Sequence, residues 1–167
     1  MRQRAGAVRP FVGLALALVA GAALAQDPKL LPPGEAFRFS ARALDERTLE
    51  ARFNVADGYY MYRDRFTFGV DPASAGPPAP QFPAGKMKDD EFFGRVEIYR
   101  GLAVVKLPLP QAAPGASVTL KAESQGCADV GVCYPPQSQQ ITLVLPAAGQ
   151  GPGAPVEASA GKLPWQR

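Results

Sequence analysis

Leu49-Glu50-Ala51-Arg52-Phe53-Asn54-Val55, followed by Ala56 and the pair Asp57-Gly58, is the stretch on which the fold turns. Leu49, Ala51, Phe53 and Val55 alternate with Glu50, Arg52 and Asn54, the period of a strand with one face buried and the other in water. A helix would need apolar residues three and four apart. Asp57-Gly58 ends the run as a turn, because glycine enters the positive-φ region without a Cβ clash.

The same alternation extends outward from this stretch. Upstream, Phe37, Phe39 and Ala41 alternate with Arg38, Ser40 and Arg42. Downstream, residues 59–62, then Phe66, Phe68 and Val70, then Val96 and Ile98, then segments 102–109, 118–122 and 141–145 supply further strand material. That makes seven or eight short strands, and no stretch of about ten residues after the N-terminal segment keeps a helical period. The connections at 71–83, 108–115 and 134–136 are rich in proline and glycine. Short alternating strands with such breakers predict an all-β chain, an antiparallel sandwich of immunoglobulin type rather than a barrel or an α/β fold.

The first 25 residues read as an export signal: Arg2, Arg4 and Arg9, an apolar run over 11–24, and Ala23-Leu24-Ala25 as a cleavage site. The run is short for a membrane span, which needs roughly 20 apolar residues. The expected organisation is therefore a signal peptide at 1–25, a globular domain at 26–146, and a flexible tail rich in Pro, Gly and Ala at 147–167 with Trp165 in solvent. Removing Arg2, Arg4 and Arg9 from the 18 Lys+Arg balances the 15 Asp+Glu. The basic excess is thus a targeting feature, and the mature chain presents no charge pattern for nucleic acid and no membrane span. Export also places the chain outside the cytosol, where a disulfide persists.

The sequence contains no histidine. That excludes a Ser-His-Asp triad, a Cys-His nucleophile pair, haem attachment through C-x-x-C-H and any histidine zinc site. It also lacks a glycine-rich phosphate loop and a ligand cluster, so no metal, flavin or nucleotide cofactor is expected.

The two cysteines, Cys127 and Cys133, lie in Gln125-Gly-Cys-Ala-Asp-Val-Gly-Val-Cys-Tyr-Pro-Pro136. Gly131 sits where a tight reversal needs positive φ, and so short a loop can bring the sulfurs within bonding distance. As a staple the bridge would be modest, roughly 2 to 2.5 kcal/mol for about seven residues. An immunoglobulin bridge joins distant strands beside a core tryptophan, which this pair does not. No lysine or arginine occurs from 123 to 140, and Asp129 lies inside the loop, so nothing local activates a thiolate. The residues alone leave two readings open: a structural crosslink in an immunoglobulin-like binding or chaperone module, or a redox pair that reacts only with chosen partners.

The cysteine stretch, together with Asp57-Gly-Tyr-Tyr-Met-Tyr-Arg63 and Asp90-Glu-Phe-Phe-Gly-Arg-Val-Glu-Ile-Tyr-Arg100, resembles the periplasmic N-terminal domain of the thiol:disulfide interchange protein DsbD, in the family's order and over residues 30–146. The resemblance implies an immunoglobulin-like sandwich acting as a protein-disulfide reductase module, its redox-active disulfide its only electron carrier. Electrons would arrive from a thioredoxin-like domain or protein fed by a membrane electron carrier of the DsbD or CcdA type. They would leave to an exported disulfide isomerase or a cytochrome c maturation thioredoxin. By position, Cys133 would form mixed disulfides and Cys127 resolve them. Asp90, Glu91 and Phe92 would form a cap loop, with the aromatic ring over the disulfide and the carboxylates disfavouring thiolate. Tyr60 and Tyr62 would line the site, while Tyr59 belongs to the core. Val132 stands where the family often has an aromatic residue. If the sequence is complete, the membrane carrier and the thioredoxin-like donor are expected to be separate proteins.

Overall fold

The computed structural model describes residues 29–158; the expected export signal and Trp165 lie outside them. The alternating stretch is the second strand of the fold. β1 (Phe37–Asp45) and β2 (Thr48–Val55) form an antiparallel hairpin with Phe39 opposite Phe53 and Ala41 opposite Ala51. Its turn is held by the Arg47 N–H, which donates to Asp45 Oδ1 at 2.8 Å. β7 (Leu102–Pro108) pairs with the other edge of β2. In the facing layer β8 (Ser117–Ser124) lies between β11 (Gln137–Val144) and β4 (Thr67–Asp71).

The core fills the space between these layers. Phe39, Ala51, Phe53, Val105 and Leu107 come from the first layer, and Val118, Leu120, Ala122, Ile141 and Leu143 from the second. Phe53 stacks on Phe39 and meets Phe66 edge-on, each at 4.8 Å between ring centroids. Burial of each large apolar side chain contributes about 1.5 to 3 kcal/mol, so this interface carries most of the stability. The architecture is the immunoglobulin-like antiparallel sandwich that the alternation predicts, with open sheets and no closed barrel.

A third sheet continues from one end of the sandwich and carries the cysteines. Its order is β10 (Val132–Cys133), β9 (Gly126–Ala128), β3 (Tyr59–Tyr62), β6 (Gly94–Tyr99), β5 (Lys86–Asp90). β3 passes into β4 through a 3-10 turn at Arg63–Arg65, and β8 passes into β9 at Gln125. The Tyr62 N–H donates to the Gln125 carbonyl at 3.1 Å and ties the two crossings together. The second layer thereby fixes where the cysteine strands emerge.

Strand segments not marked by alternation also form. β5 is Lys-Met-Lys-Asp-Asp, a charged sheet edge whose side chains discourage pairing with other chains. β9 and β10 span only three and two residues. The stretch after 146, expected to be a flexible tail, is ordered in part: β12 (Val156–Glu157) pairs with β1 at Ala41 and Ser40. The Gly153 N–H donates to Ala43 O and the Ala158 N–H to Phe39 O, each at 2.9 Å. Composition argues against a packed core there, but backbone groups on an open strand edge need no apolar side chain to find partners. Among the described residues no helix is long and apolar enough to cross a membrane.

Candidate functional site around the Cys127–Cys133 disulfide

Cys127 and Cys133 are disulfide-bonded and directly opposite each other across β9 and β10. The reversal between them is Asp129-Val130-Gly131, with Gly131 at φ 86° and its N–H donating to Ala128 O at 3.0 Å. This is the three-residue hairpin in which glycine supplies the left-handed position. Gly126 has a different role. A Cβ there would meet the Phe37 ring and the Tyr60 carbonyl, each at 2.5 Å, so only glycine lets β9 approach β3 closely enough to pair.

β3 presents Tyr60 and Tyr62 on the face that points away from the main core, because residues two apart share a side of a strand. Both are buried, and with Ile98 and Cys127 they form a second small cluster, against which Val96 and Cys133 pack. Tyr59 and Met61 point the other way, into the sandwich. Tyr59 is core, as expected, and its hydroxyl accepts the Leu31 N–H at 2.8 Å. Cys127 is fully buried, whereas Cys133 is half-buried.

The Tyr62 hydroxyl lies 3.1 Å from Cys127 Sγ and 3.7 Å from Cys133 Sγ. It also donates to Asp90 Oδ2 at 3.0 Å, and Tyr60 donates to the same oxygen at 2.7 Å. Lys88 Nζ adds a third contact at 3.3 Å. The second oxygen, Oδ1, accepts the backbone N–H groups of Phe92 at 2.9 Å and Phe93 at 3.3 Å. Asp90 thus fastens the β5–β6 turn to the phenols above the disulfide. Burial alone would raise its pKa, but the bonds from Tyr60, Phe92 N–H, Tyr62 and Lys88 outweigh this and hold it at about 2. Tyr60 and Tyr62 are both pushed above the ordinary phenol range, first by burial, and stay protonated.

This wiring determines what the site can do. A phenol has one proton to donate. While Tyr62 gives its proton to Asp90, its oxygen can accept from a cysteine S–H. A chain from thiol to phenol to carboxylate then favours the protonated thiol. If a thiolate forms, Tyr62 can turn its proton toward the sulfur, leaving Asp90 with Tyr60, Lys88 and the two N–H groups. The phenol can therefore stabilise either form of a sulfur beside it.

The cap residues divide. Asp90 is buried at the centre of the network, while Glu91 is exposed in the turn. Phe92 is 57% exposed; the ring that meets Tyr62, edge-on at 5.0 Å, is that of Phe93, itself 41% exposed. Phe93 escaped the sequence reading, although it adjoins Phe92 in the same motif. The absence of cations around the cysteines also holds only along the chain. Folding brings Arg100, the residue after β6, into a two-pronged pair with Asp129, at 2.6 and 2.9 Å, and the Arg100 bond holds that carboxylate below its usual pKa. Lys88 and Arg100 lie 4.9 and 5.2 Å from the Tyr60 ring centroid. The signal for Lys88 was its place two residues before Asp90 on one strand. Nothing local pointed to Arg100. Among the described residues no cluster of His, Cys, Asp and Glu is arranged to hold a metal ion.

Residues 27–145 match the family described as thiol:disulfide interchange protein DsbD, N-terminal. The chain is 42% identical over 158 residues to the thiol:disulfide interchange protein DsbD of Ralstonia nicotianae, covering 91% of this chain and 26% of that protein. It is 44% identical over 131 residues to DsbD 2 of Pseudomonas aeruginosa, covering 78% and 20%. The chain thus spans about a quarter or less of the length of these relatives. Among solved structures, it is similar to the reduced N-terminal domain of Neisseria meningitidis DsbD, with TM-score 0.65, 37% identity and coverage of 78% of this chain and 96% of that one. It is also similar to a structure of the complex between the DsbD and PilB N-terminal domains of that organism, with TM-score 0.58, 37% identity and coverage of 75% and 93%.

Proposed function

Because the chain belongs to the family of DsbD N-terminal domains, we propose that it is a periplasmic thiol-disulfide interchange module whose Cys127–Cys133 pair passes electrons between proteins. A thioredoxin-like donor, itself fed by a membrane electron carrier, reduces the pair. The dithiol then reduces an exported oxidoreductase, of the disulfide isomerase or cytochrome c maturation type. What carries this reading is the asymmetry of the pair: Cys133 is reachable and Cys127 is not, while one phenol touches both sulfurs. The solved complex of a Neisseria meningitidis DsbD N-terminal domain with a second protein domain supports exchange by docking.

In the forward step the donor's thiolate attacks Cys133 Sγ. The disulfide breaks, its electron pair leaves on Cys127 Sγ, and that sulfur takes a proton beside Tyr62. The donor's second thiol then attacks the mixed disulfide, releasing Cys133 as a thiol and leaving the donor oxidised. Two electrons and two protons have entered the domain, and the same steps in reverse roles discharge them to a client.

Trapping tests the assignment. Cys127→Ala in the exported chain is expected to accumulate mixed disulfides through Cys133, seen as reducible adducts on non-reducing gels, while Cys133→Ala accumulates far fewer. Equilibration with glutathione or dithiothreitol should give a reduction potential above about −300 mV. No adduct, with a potential below that value, would make the bridge a structural crosslink.

A further inference from the structure

The 3-10 turn Arg63–Arg65 leaves β3 directly after Tyr62, and the β5–β6 turn approaches it from the other side. Between them lies a cleft of about 260 Å³ lined by Tyr62, Asp64, Arg65, Phe93, Val96 and Glu97. Arg63 takes both carboxylates of that cleft, reaching Asp64 and Glu97 at 3.3 Å. Arg65 faces an aromatic ring instead: its Cζ lies 4.5 Å from the Phe93 centroid. Tyr62 meets the same ring at 5.0 Å with planes at 83°. Phe93 is therefore gripped by a cation and by the phenol that touches the sulfurs, although 41% of it remains in water.

We propose that Arg65 is a positioning residue of this site, whose guanidinium clamps Phe93 against Tyr62 and so latches the 91–93 turn beside the disulfide. The Asp90 bonds anchor the base of the turn at the backbone of Phe92 and Phe93. They leave the side chain of Phe93 free to swing. A guanidinium over the face of a ring is attracted to its negative quadrupole, and loss of that attraction at a half-exposed site corresponds to about a two- to fivefold change in an opening equilibrium. The proposal rests on the exchange reading for its purpose. Its test needs only a small thiol.

That test is the second-order rate at which dithiothreitol reduces the disulfide of the intact chain at fixed pH. One thiolate opens the bond, and the second thiol of the reagent closes its own ring, becoming the oxidised product as two cysteine thiols form. Arg65→Ala is expected to raise the rate about two- to fivefold. Arg65→Lys, which keeps a cation over the ring, should restore most of the wild-type rate. Phe93→Leu should speed reduction by the same factor, and adding Arg65→Ala to it should change nothing further. An unaltered rate in Arg65→Ala, or an equal acceleration in the Phe93→Leu background, overturns the latch. Should Arg65→Ala fail to fold, an unaltered rate in Phe93→Leu does so alone. Failure of the trapping experiment with an intact latch would refute the exchange reading and leave this one standing.

Discussion

Asp90 is the residue on which most of the site's polar contacts converge. Its folded pKa of about 2, against an ordinary 3.8, makes the folded state a weaker proton binder than the unfolded chain. Its contribution to stability, roughly 2 kcal/mol, is complete above pH about 4 and is lost as the pH falls toward 2. Urea unfolding of wild type and Asp90→Asn across pH 2 to 6 should show the gap between them closing at the acid end. The same substitution removes the negative charge at the far end of the phenol chain. In the reduced protein it should therefore lower the cysteine pKa, raising the rate of iodoacetamide alkylation near neutral pH severalfold. An unchanged alkylation profile would mean that Tyr62 does not couple the carboxylate to the sulfurs.

The β9–β10 hairpin is built on two glycines that are needed for unrelated reasons, and substitution separates them. Gly131 has open space around the missing Cβ but a positive φ, so Gly131→Ala should cost about 1 to 2 kcal/mol through backbone strain alone. Gly126→Ala drives a methyl group into the Phe37 ring and the Tyr60 carbonyl. There the strand itself must shift, and the expected loss is about 1 to 3 kcal/mol together with a changed dithiothreitol reduction rate. Chemical denaturation combined with that rate distinguishes them: Gly131→Ala should alter mainly stability, Gly126→Ala both. Of the two, only Gly131 is recognisable from its neighbours in the chain. The requirement at Gly126 comes from strands 60 and more residues away in sequence.

Across the whole molecule, the disulfide lies in its own small cluster with Tyr60, Tyr62 and Ile98, apart from the large core between the two layers. A carrier that must survive both redox states benefits from that separation. Reduction should leave the sandwich folded, lowering its stability by roughly 2 kcal/mol, the worth of so short a loop in the chain-entropy model. Calorimetry of oxidised and reduced protein, with near-ultraviolet circular dichroism to follow the aromatic packing, checks this. Global unfolding on reduction would contradict it.

The strands whose side chains alternate, the turn at Asp57-Gly58 and the cysteine reversal at Gly131 were determined by the sequence alone, because each depends on residues within a few positions of one another. The family motifs, read as local strings, also singled out Cys127, Cys133, Tyr60, Tyr62 and Asp90. Tertiary structure alone decided that Phe93 meets Tyr62, that Arg100 pairs with Asp129, that Asp90 accepts both phenols and that residues 153–158 lie along β1. These contacts join segments tens of residues apart, and short-range periodicity carries no information about which strand edges or loop ends meet. The charge around the disulfide shows the difference: no cation is near it along the chain, yet β5 and the end of β6 bring Lys88 and the following Arg100 about Tyr60.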